Sequence, residues 1–197
     1  SIFTVFYPKL YMYKIRTIEQ KDNAQIASVI REVSEEFGLA AESGFAVADP
    51  ILDNLYDVYQ QKNAHYWVIE NNHGVILGGG GISPLQGDSN ILEVQKMYFS
   101  SEIRGHGFAK EILSLAFEFA AKHGIHFCYL ETTANLWQAV KLYEKLGFQH
   151  LSAPKGNTGH SHACEIWMLK RLYKTLFSIL DIFKFHLYSL CYFSNYQ

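Results

Sequence analysis

The alternation of apolar and polar residues changes period several times along this chain, and each change marks an element. Tyr13-Lys14-Ile15-Arg16 alternates as a short strand, and Ala24, Ile26, Ala27, Val29, Ile30, Val33 and Phe37 then follow helical spacing up to Gly38. Leu39 to Val47 reads as a loop. Asp49-Pro50 supplies a cap and a first-turn proline for a second helix through about Gln61, whose Tyr56 and Tyr59 either line a pocket or, as periodic aromatics usually do, pack in the core. Tyr66 to Glu70 and Val75 to Leu77 are strands joined by the hairpin turn Asn71-Asn72-His73-Gly74. Gly78 to Gly81 weaken the return strand, so it either bends sharply or has a ligand or another chain close to its backbone.

After a turn at Pro84 to Asp88, the residues from Ile91 to Phe99 alternate again. Simple parity puts Leu92, Val94 and Lys96 on one face and Ile91, Glu93, Gln95, Met97 and Phe99 on the other. A glycine turn, Arg104-Gly105-His106-Gly107, leads into a helix whose apolar residues are Ile112, Leu113, Leu115, Ala116, Phe119 and Ala120. Ile125 to Thr132 is the next strand, and the intervening helix implies that it runs parallel to the previous one. Asn135 is placed to cap a helix through Trp137, Val140, Leu142 and Tyr143 that ends at Gly147, and Phe148 to Leu151 and Ala163 to Leu169 complete the strands. The pattern predicts an α/β domain with a mixed sheet and helices on both faces.

The strand, glycine turn and helix from Ile91 to His123 have a chemical meaning of their own. The first N–H groups of a helix have no partner within it and carry the positive end of its dipole, so they can hold a phosphate. Gly105 and Gly107 would let a ligand approach, with the charge of Arg104 at the mouth; alternatively the glycines serve turn geometry only. A nucleoside-triphosphate loop would need Gly-Lys-Ser/Thr where Gly107-Phe108-Ala109 stands, and a dinucleotide fingerprint would need glycine at Lys110.

Composition narrows the rest. The chain has 197 residues, 49% of them hydrophobic, enough for one sizeable core and one domain. A net charge of -2 with no basic run argues against nucleic-acid binding. Cys128, Cys164 and Cys191 are odd in number and scattered, which fits a reducing cytoplasm better than a disulfide framework. Residues 1–11 read as an N-terminal arm, 12–171 as the domain and 172–197 as an apolar helical extension. Lys174, Asp181, Lys184 and His186 interrupt that extension, so it is no membrane span; its stripe of Leu176, Leu180, Phe183, Leu187 and Leu190 would dock on the domain or form a homodimer contact. His160, His162 and Cys164 share a face if extended, yet a structural metal site wants four ligands, and no metal is expected.

Two motifs carry a resemblance. Arg104-Gly105-His106-Gly107-Phe108-Ala109 resembles the Gln/Arg-x-x-Gly-x-Gly/Ala signature of the GCN5-related N-acetyltransferases. Asn135, followed by Leu142-Tyr143-Glu144-Lys145-Leu146-Gly147-Phe148, is similar to that family's later motif. The resemblance covers about Met12 to Arg171. It implies a mostly antiparallel sheet in which one parallel strand pair splays to admit acetyl-coenzyme A. It also implies that the backbone of Met97, Tyr98 and Phe99 pairs with the pantetheine arm and that Asn135 contacts the same arm. The turn formed by Arg104, Gly105, His106, Gly107, Phe108, Ala109 and Lys110 would hold the pyrophosphate.

The implied reaction is direct attack of a primary amine, small molecule or peptide, on the thioester carbonyl. A protonated amine is no nucleophile, and a thiolate leaves better when stabilised, so a base and an acid are wanted. Tyr143 matches the family's acid, with simple ring packing as the alternative. Glu93 matches the base of the histone-acetylating branch, and parity puts it on the face of Met97; a structural or substrate-orienting carboxylate is the alternative. A coenzyme A-binding module without transferase activity would share the glycine turn.

Overall fold

The computed structural model describes residues 12–39, 49–159 and 163–172. Strand β1 (Tyr13–Thr17) leads through a 3-10 turn to helix α1 (Asn23–Glu36), and a second 3-10 turn, Pro50–Asn54, to the single-turn helix α2 (Leu55–Val58). Then follow β2 (His65–Asn71), β3 (Ile76–Leu85), β4 (Asp88–Phe99), α3 (Phe108–Lys122), β5 (Phe127–Thr132), α4 (Trp137–Lys145), β6 (Gln149–His150) and β7 (Ile166–Arg171). The seven strands form one sheet in the order β1-β2-β3-β4-β5-β7-β6. Only β4 and β5 are parallel. The mixed sheet expected from the pattern is observed, and it is mostly antiparallel as the resemblance implies. The arm at residues 1–11, the extension beyond 172 and the pair His160 and His162 lie outside the described residues.

Helices cover both faces. Ile112, Leu113, Ala116 and Ala120 of α3 and Val140 and Tyr143 of α4 pack on Trp67, Ile69, Leu92 and Val94. Ile26, Ala27, Ile30 and Val33 of α1 pack with Leu52, Leu55 and Tyr59 on Tyr66 and Val68 of the opposite face. Asp49 caps its turn as expected, accepting from the Ile51 N–H at 3.0 Å, but the helix that follows ends at Val58 rather than near Gln61. Near β1, Arg16 binds the buried Asp22 and donates to Glu70. Its hydrogen bond and that of Lys14 hold the Glu70 carboxyl at about 2.

The glycine run is crowded by the protein's own side chains and backbone. A Cβ on Gly79 would meet the Trp67 carbonyl oxygen and the Tyr66 ring at 2.6 Å, and one on Gly81 would come within 2.5 Å of Tyr66 and 2.7 Å of Tyr59. The glycines are a slot for two tyrosines. Through it the Tyr66 hydroxyl reaches across and donates to the Lys96 carbonyl at 2.9 Å. We expect Gly79→Ala to cost about 3 kcal/mol by overpacking against backbone as well as ring. Thermal unfolding would show it as a fall in Tm of about 10 °C, at a few degrees per kcal/mol for this size.

That Lys96 carbonyl belongs to a β-bulge, and the bulge corrects the parity expectation for β4. Between Gly79–Tyr98 and Gly81–Gln95 the register slips by one residue, so Lys96 and Met97 together face Gly80. Lys96 takes a φ of 50° to make room. Alternation therefore restarts. Met97 and Phe99 join Leu92 and Val94 on the α3 face, whereas Lys96 reaches Asp49 at 3.4 Å and Tyr98 packs toward α1 and α2. Glu93 and Met97 thus lie on opposite faces of the sheet.

Candidate active site

The parallel ladder between β4 and β5 is short. It pairs Ile91 with Phe127, Leu92 with Cys128 and Glu93 with Tyr129, and stops there although β4 runs on to Phe99 and β5 to Thr132. Beyond Glu93 the two strands fork. On its β5 side, the backbone of β4 from Val94 to Phe99 presents donors and acceptors that no strand among the described residues takes up.

At the far end of this fork the sequence turns into α3 by way of two left-handed glycines, Gly105 (φ 77°) and Gly107 (φ 85°). Gly107 precedes the first helical residue, and the first helical bond runs from the Glu111 N–H to its carbonyl. The N–H groups of Phe108, Ala109 and Lys110 therefore point out of the helix end, as an anion would require. A Cβ on Gly105 would meet nothing within 4 Å. A cavity of about 260 Å³ joins these parts, lined by Phe99, Ile103, Arg104, Gly105, Gly107, Phe108, Ala109, Lys110 and, from α4, Leu142.

Several predicted side chains do other work. Arg104 forms a two-pronged ion pair with Glu36 at the end of α1 and lies over the Phe37 ring at 5.2 Å. It ties the turn to α1 while still lining the cavity. The His106 ring bonds the Arg104 carbonyl and leans toward Tyr13, Phe108 is core, and Lys110 is exposed. Asn135 is not a helix cap: it sits within the 3-10 turn Ala134–Leu136, and its side chain donates to the Phe37 carbonyl at 3.4 Å. The reason is that Glu165, just before β7, already secures the turn, accepting from the Ala134 N–H at 2.7 Å and the Thr133 hydroxyl at 3.0 Å.

Tyr143 and Glu93 flank the fork from opposite faces. Tyr143 is 8% exposed and packs edge-on to Phe148. Burial, with Tyr98 nearby, raises its phenol well above the ordinary value, so it keeps its proton. Glu93 is 3% exposed, at the last rung of the ladder, and accepts from Gln95 Nε2 at 2.7 Å. Gln95 in turn accepts from the Tyr59 hydroxyl at 3.0 Å. Tyr59 gave no signal in the sequence beyond its periodicity. Tyr129 donates to Glu131 at 2.7 Å and accepts from the Lys155 N–H, which brings the loop before β7 over this face. Burial pushes the thiols of Cys128 and Cys164 up to about 12, so neither is a ready nucleophile near neutral pH. Among the described residues no three His, Cys, Asp or Glu side chains are grouped to hold a metal.

The chain matches the acetyltransferase (GNAT) family over residues 28–148. It belongs to that family. The uncharacterized N-acetyltransferase YjgM of Escherichia coli (strain K12) is 52% identical over 159 residues, covering 80% of this chain and 94% of the relative. The fold is that of a GNAT acetyltransferase from Staphylococcus aureus, with a TM-score of 0.67 and 20% identity over 81% of this chain and 99% of that one. A paia N-acetyltransferase of Thermoplasma acidophilum, solved with coenzyme A, gives 0.64 and 18% over 81% and 98%. This GNAT chain is an acetyl-coenzyme A-dependent N-acetyltransferase. No helix among its described residues is long and apolar enough to cross a membrane.

Proposed function

We propose that this chain acetylates a primary amine by direct attack across the fork between β4 and β5, with the donor held on one side of the sheet and the acceptor reaching it from the other. The observation that carries the reading is the early end of the parallel ladder at Glu93 and Tyr129. The free edge of Met97, Tyr98 and Phe99 suits the amides of a pantetheine arm, which would add to the sheet as a strand does. The N–H groups after Gly107 suit a pyrophosphate. Arg104 and Asn135 act first as ties to the end of α1 and only through it, or at the cavity rim, on the cofactor.

Glu93 takes the proton from the amine, directly or through a water, and Tyr143 faces the sulfur. An ordinary phenol is already a weaker acid than an ordinary thiol, ~10 against ~8.5, and burial of Tyr143 widens the difference. Complete transfer of its proton to the thiolate is therefore uphill. The phenol works by donating a hydrogen bond to the charge that develops on the leaving sulfur. The scattered cysteines keep a cytoplasmic setting as part of this reading.

Full-length protein incubated with acetyl-coenzyme A and, in turn, spermidine, lysine, aspartate and a peptide with a free N-terminus tests it. Release of free thiol with at least one amine is expected. Coenzyme A binding without turnover on any of them would favour the binding module instead.

A further inference from the structure

Outside the groups already given a role, the best-defined polar arrangement is the chain Tyr59, Gln95 and Glu93. Gln95 lies two residues beyond Glu93 on the same face of β4, ahead of the bulge, so the two side chains are neighbours. The Tyr59 hydroxyl donates to Gln95 Oε1, which leaves the NH2 group directed at Glu93 Oε2. We propose that Tyr59 and Gln95 are positioning residues for the base: together they fix the direction in which the Glu93 carboxylate faces the fork. The proposal rests on the reading of Glu93 as base.

Each part suits this role. Gln95 is neutral, so it orients the carboxylate without competing for the proton. Tyr59 is 4% exposed and directly follows α2, packed against the Tyr66 ring with centroids 4.9 Å apart, so its hydroxyl is fixed by the core. Burial, then the charges of Glu93 and Asp49, keep that phenol protonated, and it remains a donor at every working pH. Tyr129 of β5 and Cys164 before β7 stand near Glu93 as well, with Asp49 paired to Lys96 beyond.

The test uses full-length Tyr59→Phe, Gln95→Leu, Gln95→Glu and Glu93→Gln, each checked for a parental melting profile. With the best acceptor among spermidine, lysine, aspartate and the peptide, Tyr59→Phe should lower kcat about fivefold with KM for acetyl-coenzyme A within twofold. In Gln95→Glu two carboxylates would share a proton, so the acidic limb of the kcat/KM profile should move up by about one pH unit or more. Carbon-13 NMR of the Glu93 carboxyl, which needs no acceptor, should show its signal displaced and broadened in Gln95→Leu and Tyr59→Phe, as for a carboxylate released from a fixed donor. An unchanged carboxyl signal and an unchanged pH profile in the Tyr59 and Gln95 variants, with Glu93→Gln inactive, would overturn the positioning role alone. Full activity of Glu93→Gln would overturn the base and the positioning role together.

Discussion

Gly107→Asp is expected to lose two orders of magnitude or more in affinity for coenzyme A while folding normally. The residue sits at a φ of 85°, in the left-handed region that aspartate tolerates better than most side chains, so the backbone need not move. Its carboxylate would lie among the N–H groups of Phe108, Ala109 and Lys110 and favour the helix as an acidic residue near an N-terminus does. The same carboxylate then occupies the donors and repels a phosphate. At an effective dielectric near 20, two like charges 4 Å apart repel by about 4 kcal/mol, and a loss of about 3 kcal/mol already gives a factor of ~100. Calorimetry with coenzyme A measures the loss, and Gly107→Asn, which keeps the backbone preference without the charge, should lose much less. An affinity within threefold of the parent in Gly107→Asp would remove the turn from the binding site.

Tyr143→Phe should separate chemistry from binding. The ring is held by burial and by its edge contact to Phe148, so its loss of a hydroxyl leaves the packing of α4 intact. Removing one donor aimed at developing charge costs about 10²-fold or more in turnover at enzyme sites of this kind. We expect kcat to fall by about that factor, with the affinity for coenzyme A changed less than about twofold. A kcat equal to that of the parent would leave Tyr143 as a packing residue.

How far the site can be read without coordinates depends on the residue. The 3.6 period from Ile112 to Ala120 suffices for α3, because one face of a helix must be apolar to pack on a sheet. The parallel relation of β4 and β5 follows from the helix between them. Lys96 is the counterexample: nothing in Glu93-Val94-Gln95-Lys96-Met97 announces an extra residue. The bulge is decided by Tyr66, thirty positions earlier, whose hydroxyl takes the freed carbonyl through a slot of glycines. Asn135 misleads for a similar reason, since the partner that replaces its cap is Glu165, thirty residues on and just before β7. The role of Tyr59 is hidden because core packing and hydrogen bonding to Gln95 need the same periodic position. Local pattern reports local structure; these three features are settled by residues distant in the chain.

The slip at Lys96 has one more consequence. In the proposed reaction, positions before it on the Glu93 face would meet the acceptor, whereas Met97 and Phe99 after it would meet the donor side, so one strand serves two constraints without mixing them. A change of acceptor preference could then accumulate around Glu93 and Gln95, with those two kept, while the half proposed to read coenzyme A stays as it is. A single additional residue makes the strand divisible for adaptation.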